Sequence, residues 1–229
     1  MPLPSSGLEG LAREIEDCRL CPRLVSWREQ VAVTKRASYA GEEYWGRPLP
    51  GFGDPGASLV VVGLAPAAHG GNRTGRIFTG DRSGDWLWAA LYRTGLASQA
   101  RSEHRGDGLR ARGAWVTAAV RCAPPDNRPT PAERDTCAPY LARELALLTG
   151  ARAFLALGGF AFGALSAWAG LRPRPRFAHG AEVELPDGRW LVASYHPSQQ
   201  NTFTGRLTER MLDEVVVAAL RHAQPAGPA

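Results

Sequence analysis

Four short apolar runs constrain this chain more than any other feature. They are Ser58 to Gly63, Ala114 to Val120, Arg152 to Leu157 and Arg189 to Ser194. Each has the length of a strand, and the first three show little of the polar alternation of a half-exposed one. Strands covered on both faces read this way because helices shield each side. Stretches of helical length separate them, about 83–96, 130–148 and 160–168, and an amphipathic segment follows at about 207–222. Thr130-Pro131-Ala132-Glu133 is a strong helix start, combining a cap, a proline at the first helical position and a reciprocal glutamate. Strands and helices in this order predict a three-layer α/β domain with a mostly parallel sheet. Pro186-Asp187-Gly188 between 181–185 and 189–194 predicts a hairpin. Upstream, Ser6-Gly7-Leu8-Glu9 has capping-box form and opens a helix through about Asp17, after which Cys18 to Pro55 reads as irregular. The expectation is one domain over residues 1–222, with an amino-terminal arm (1–57) and a disordered tail at 223–229.

In such sheets the active crevice lies beyond the carboxyl ends of the strands. Three unusual segments fall there: Gly63-Leu64-Ala65-Pro66-Ala67-Ala68-His69-Gly70, Arg121-Cys122-Ala123-Pro124-Pro125, and His196-Pro197-Ser198. The last delivers one imidazole to the sheet edge, with a proline stiffening the loop behind it and a polar tip following. The net charge is +5, carried almost wholly by arginine, since Lys35 is the only lysine. That balance fits a polyanionic partner, and equally fits the Ala-, Gly-, Pro- and Arg-rich output of GC-rich coding DNA. With no apolar run near ~18 residues and no basic-then-apolar start, a cytoplasmic protein is expected.

Cys18 and Cys21 form Cys-x-x-Cys-Pro, and Cys122 and Cys137 lie about a hundred residues on. Disulfides are disfavoured in a reducing cytosol. A metal held by all four explains why an irregular arm stays attached to the domain body. Four thiolates suit zinc or an iron–sulfur cluster, and spacing leaves both open.

With these residues in view the chain resembles the iron–sulfur uracil-DNA glycosylases, in the branch called family five or type b. The likeness runs from Cys18 to about Arg210. It rests on Cys-Arg-Leu-Cys-Pro-Arg-Leu, Gly-Leu-Ala-Pro-Ala-Ala-His-Gly, Asn72-Arg73-Thr74-Gly75-Arg76-Ile77-Phe78-Thr79-Gly80-Asp81, Val120-Arg121-Cys122-Ala123-Pro124-Pro125-Asp126-Asn127 and the His-Pro-Ser-Gln-Gln-Asn loop. The resemblance implies a three-layer α/β/α sandwich around a four-stranded, mostly parallel sheet. It also implies a structural 4Fe-4S cluster on Cys18, Cys21, Cys122 and Cys137. Related enzymes carry a carboxylate or amide in the first motif to handle water, where Leu64-Ala65 offers none. They also place an asparagine on the strand before the third cysteine, where this chain has Ala118. Both departures belong to the family-five pattern, which implies tolerance of other deaminated bases such as hypoxanthine and xanthine.

The expected activity is flipping of uracil out of DNA and hydrolysis of its glycosidic bond, leaving an abasic site. Asp81 and His196 are the expected catalytic pair. Asp81 would steady a cationic sugar and handle water, unless it is only a helix cap; His196 would donate a hydrogen bond to the departing base. Phe78 would stack on the base, Asn127 would contact it or hold its loop, and backbone around Gly63, Leu64, Ala65 and Ala67 would surround it. Arg73, Arg76 and Arg206 are candidates for phosphate, and Ser198, Gln199, Gln200 and Asn201 form the loop that would enter DNA as a wedge. His69 and Asn72 carry no firm role. The expected partner is deaminated DNA, bound by a monomer in the cytoplasm or on the nucleoid. Two other readings are a non-catalytic damaged-base sensor of the same fold and a phosphoesterase with metal on His69, Asp81 and His196.

Overall fold

A computed structural model describes residues 5–224. Six strands form one sheet in the order β1-β3-β2-β4-β6-β5, with β1 at Phe52–Gly53, β2 at Leu59–Gly63, β3 at Ala114–Ala118, β4 at Ala153–Leu157, β5 at Glu182–Glu184 and β6 at Trp190–Ser194. The four inner strands are parallel, and in their shared register Val61 stands between Val116 and Leu155. The two edges, β1 on β3 and β5 on β6, are antiparallel. The four-stranded expectation thus describes the parallel centre, and two short edge strands extend it.

Eight helices accompany the described strands: α1 (Ser5–Glu16), α2 (Pro22–Thr34), α3 (Gly71–Thr74), α4 (Arg82–Arg93), α5 (Pro131–Leu147), α6 (Gly159–Trp168), α7 (Gln199–Phe203) and α8 (Glu209–Ala223). Successive strand residues face opposite sides. Leu59, Val61, Val116, Leu155 and Val192 therefore pack against Leu87, Trp88 and Leu91 of α4 and Leu212, Val215 and Val216 of α8. Val60, Val62, Phe154 and Leu191 pack the other way, against Leu8 of α1, Leu141 and Leu145 of α5 and Phe162 and Leu165 of α6. Each fully buried side chain of this size is worth roughly 1.5–3 kcal/mol relative to exposure. That explains why the strands carry so few polar residues.

The α5 capping box forms as expected, with Glu133 N–H donating to Thr130 Oγ1 (3.2 Å) and Thr130 N–H to Glu133 Oε2 (2.7 Å). Four expectations need correction. The stretch 18–55 is not irregular throughout, because Pro22 starts α2, which buries Leu24, Val25, Arg28 and Val31 along one face. Helix α1 already includes Ser5, so the cap expected at Ser6 falls inside it. Helix α4 stops at Arg93 rather than near Leu96. Of the expected tail, Ala223 ends α8 and Gln224 caps it, while 225–229 lie outside the described residues.

Candidate active site at the carboxyl edge of the sheet

The parallel strands end on one side, and the turns after β2 and β6 meet there. Gly63 has no side chain because Phe78 occupies that space: a Cβ on Gly63 would stand 2.6 Å from the Phe78 ring. Phe78 reaches this place with φ of 49°, its carbonyl accepting the indole N–H of Trp88 at 2.8 Å. Its ring faces His196, with centroids 6.0 Å apart and planes inclined by 29°. Burial pulls the His196 pKa down to about 4, so the ring is neutral at physiological pH. Its backbone is fixed too, since Asn201 Nδ2 donates to the His196 carbonyl at 2.8 Å and Ser198 caps α7 behind it.

Asp81 follows Phe78 by one tight turn. Its Oδ1 accepts the Gly84 N–H at 2.9 Å, so it is the N-cap of α4. Its Oδ2 lies against Gly70, where a Cβ would stand only 2.0 Å away. Among the described residues no hydrogen bond engages Oδ2. Burial raises the Asp81 pKa, opposed by the Gly84 and Ser83 N–H groups. The cap thus occupies Oδ1, and Oδ2 lies beside Gly70.

Beside His196 is a cavity of about 240 Å³ lined by residues that include Leu64, Gly158, Phe160, Phe177, Tyr195 and Arg206. Gly158, with φ of 92°, allows the approach of His196: a Cβ there would meet the His196 Cβ at 3.3 Å.

The four cysteines are free thiols on the far side of the first motif. Cys122 and Cys137 are buried with Leu24 and Val120, and Cys21 and Ala65 pack against them. Arg28, itself buried, donates from Nη1 to Cys122 Sγ at 3.0 Å. Burial pushes the Cys122 thiol up to about 12 against the pull of Arg28, and raises Cys137 and Cys21 as well. Among the described residues no three His, Cys, Asp or Glu side chains stand close enough together to hold a metal ion. The thiols lie near enough to one another that their charges interact, and His69, Asp81 and His196 form no such group either.

Residues 50–220 match the model of the uracil DNA glycosylase superfamily. A type-5 uracil-DNA glycosylase of Mycobacterium bovis is 58% identical over 204 residues, which is 88% of this chain and 76% of that protein. One from Thermus thermophilus is 54% identical over 216 residues, 94% and 98% of the two chains. One from Pyrobaculum aerophilum is 45% identical over 220 residues, 96% and 95%. The chain belongs to the uracil DNA glycosylase superfamily, in its type-5 branch.

Within that type-5 framework, several expected site residues sit elsewhere. Arg73 is enclosed: Nε donates to the His69 carbonyl (2.8 Å), Nη2 to the Gly80 carbonyl (3.0 Å), Nη1 pairs with Glu42, and the guanidinium lies over Tyr39. Arg76 is buried against Asp107 (2.6 Å), Ser102 and Thr79. Neither guanidinium is presented to a phosphate; both brace the turn that carries Phe78 and Asp81. Asn127 is exposed with φ of 54° and does not line the cavity. Ala65 faces the cysteines, and the Ala67 carbonyl accepts N–H groups from Gly70 and Asn72. His69 Nδ1 meets the Tyr44 hydroxyl at 3.0 Å, and buried Asn72 donates to the Arg28 carbonyl at 3.2 Å. Gln199, Gln200 and Arg206 are exposed, with Arg206 over the Tyr195 ring. Gly158, Phe160, Phe177 and Tyr195 escaped the sequence reading. The Gly158-Gly159 pair at the end of β4 was the available signal, because paired glycines after a buried strand mark a close approach.

Proposed function

We propose that this protein removes uracil from DNA by hydrolysing the bond between base and deoxyribose, leaving an abasic site. The observation that carries this reading is a neutral His196 held face to face with Phe78 at the carboxyl edge of the sheet. A base inside a duplex is out of reach of such an edge, so the nucleotide must be flipped, at a cost of a few kcal/mol of unstacking. The α7 turn, Ser198 to Arg206, with Gln199, Gln200 and Phe203 exposed, would enter the helix as a wedge, and Phe78 would offer the extracted base an aromatic surface.

Uracil leaves as an anion with charge on a carbonyl oxygen. A half-buried neutral imidazole donates a hydrogen bond there as the charge develops. The sugar becomes cationic as the bond lengthens, as in other glycoside hydrolyses. Asp81 in its ionised form answers that charge, and Oδ2, unencumbered by the cap, holds and orients the attacking water. Leu64 and Ala65 contribute no polar side chain, so the handling of water rests on Asp81 alone. With Ala118 buried in β3, no amide reads the pyrimidine edge from that strand. Hypoxanthine and xanthine are accordingly accepted substrates.

The cysteine set fits a metal group of negative overall charge: four thiols from distant segments, with a buried cation donating to one of them. Cys18, Cys21, Cys122 and Cys137 would hold a 4Fe-4S cluster. When bound, it supplies a covalent tie between the arm and the body rather than a reacting centre. No described helix is long and apolar enough to cross a membrane, and the protein works as a monomer on DNA in the cytoplasm or nucleoid.

A sensor that binds damage without cutting is favoured by one observation, the apolar Leu64-Ala65 pair. The test is uracil release from a uracil-containing duplex by wild type and Asp81→Asn, with binding to the same duplex measured alongside. Wild-type release, with a loss of at least about 100-fold in the variant and unchanged binding, is the expected result. Tight binding with no release by wild type would establish the sensor instead.

A further inference from the structure

The segment Arg172-Pro173-Arg174-Pro175-Arg176-Phe177 enters none of the chemistry above. Between Glu144 and Glu182 the chain has no acidic residue, so nothing nearby in sequence balances these three cations. Arg172, Arg174 and Arg176 are exposed. Among the described residues none of them has an ion pair, a hydrogen bond or an aromatic partner. Most other arginines near the site are spent internally: Arg73 on Glu42, Arg76 on Asp107, Arg121 on Glu144, Arg28 on the Cys18 carbonyl and Cys122. Three free guanidinium groups in five residues stand out against that pattern.

The prolines between them matter physically. Each fixes φ and removes a backbone donor, and each biases the residue before it toward extended conformation. The segment therefore cannot join the adjacent sheet or curl into a helix, and its arginines are displayed on a stiff strap with little chain entropy left to lose on binding. The strap is also fastened. Phe177 makes edge contact with Phe162 at 5.7 Å between centroids and a tilted contact with Tyr195 at 6.2 Å, and it lines the cavity next to His196. Arg206, which lines that cavity too, lies over the same Tyr195 ring at 4.6 Å. The arginine segment is thus anchored next to the cavity through Phe177, and Arg206 adds a fourth cation to the lining of that cavity.

We propose that Arg172, Arg174 and Arg176 form a rail for the sugar–phosphate backbone of the DNA strand that carries the flipped nucleotide, with Arg206 adding a fourth cation beside the cavity. The proposal rests on the reading of the His196 edge as a uracil-excision site and adds the surface that holds its substrate. Guanidinium groups pair with phosphate in bidentate fashion, and such contacts set position and affinity without reading sequence. The rail replaces Arg73 and Arg76 as the phosphate-contacting cations.

The experiment compares wild type with the triple variant Arg172→Ala/Arg174→Ala/Arg176→Ala and with the corresponding triple lysine variant. Binding to an undamaged duplex is measured across a salt series, and single-turnover uracil release is measured at saturating DNA. Each phosphate contact contributes about 0.9 to the slope of log affinity against log salt, so the alanine variant should lose about 2–3 of that slope. Its release rate at saturation should stay within about twofold of wild type, and the lysine variant should recover most of the slope. An unchanged slope overturns the rail. So does an unchanged slope with slowed release, which would make the segment a support for the cavity. If the alanine triple fails to fold, Arg174→Ala alone should lower the slope by about one, and no change there overturns the proposal equally. Absence of uracil release by wild type would instead remove the excision reading, while the slope on undamaged duplex still decides whether the rail exists.

Discussion

Asp81 caps α4 through one oxygen and in the proposed mechanism meets water through the other, which makes its substitution informative. Asparagine caps helices about as well as aspartate, so Asp81→Asn keeps the bond to Gly84 while removing the charge beside Gly70. Burial raises the carboxyl pKa above the ordinary 3.8. The folded protein therefore holds this proton over a pH range where the unfolded chain has released it. The contribution of the group to stability falls as pH rises from 3.8 through the folded pKa, and at neutral pH the buried anion is a standing cost. Asp81→Asn should unfold at a temperature no lower than wild type at pH 7, although its activity is lost. The same raised pKa sets the acid limb of the reaction: release by wild type should fall tenfold per pH unit below it. His196 behaves oppositely. Its pKa is lowered from 6.5 to about 4, so its ring is neutral at pH values well above 4, and its stability contribution is lost as pH falls from about 6.5 toward 4. A profile of single-turnover rate against pH checks both. His196→Asn should lower the whole curve without moving its acid limb, and a shifted limb would mean that the histidine, not the aspartate, is the titrating group.

At the level of elements, one buried ion pair joins three of them. Arg121, just after β3, pairs through Nη2 with Glu144 of α5 at 2.7 Å, both side chains being almost wholly buried. Thr117 of β3 donates to Glu144 Oε2 at 2.7 Å, and the Gly51 N–H before β1 donates to Oε1 at 3.0 Å. Removing one charge from such a pair strands the other, at a cost of about 3–5 kcal/mol. Glu144→Gln should lose stability on that order in a urea titration, and a loss well under 1 kcal/mol would show that water reaches Arg121. Nothing local in the sequence joins Arg121 to Glu144, and this marks what was legible and what was not. Strands β2, β3 and β4 were readable because full burial writes itself as an apolar run. Helix α5 was readable because its cap lies within four residues. Helix α2 was missed although Leu24, Val25, Arg28 and Val31 share a helical face, because a buried arginine interrupts the apolar stripe. Arg73 and Arg76 looked like phosphate ligands because their partners, Glu42 and Asp107, lie about thirty residues away and only the fold brings them together. His196 and Phe78 could be named singly, whereas Gly158 and Tyr195 have meaning only once β4 and β6 are side by side.

Across the whole molecule, the arm is hydrogen-bonded to the turn that carries Phe78 and Asp81 as well as packed against the cysteines. Trp45 N–H donates to the Arg73 carbonyl and Gly46 N–H to the Asn72 carbonyl, each at 3.0 Å, and Leu49 N–H donates to the Arg121 carbonyl at 2.8 Å. Asn72 reaches back to α2 through the Arg28 carbonyl. Leu49 also sits against Gly71, where a Cβ would stand 2.8 Å away from it. Helix α8, by contrast, packs with α4 on the sheet face opposite α1 and makes none of these hydrogen bonds. A metal on the cysteines would therefore steady the turn carrying Phe78 and Asp81 through the arm, while β6 and α8 stand without it. Cys21→Ser separates this effect from helix capping, since Cys21 is the N-cap of α2 without a side-chain cap bond and serine suits that position. The variant should lose the visible absorption of an iron–sulfur protein and unfold at a lower temperature. Hydrogen exchange should quicken in α2, in 44–49 and in 71–78, with β4, β6 and α8 unchanged. Colourless wild type containing zinc would keep the tie and change its metal. Unchanged exchange in 71–78, with metal lost, would mean that the hydrogen bonds between arm and turn suffice by themselves.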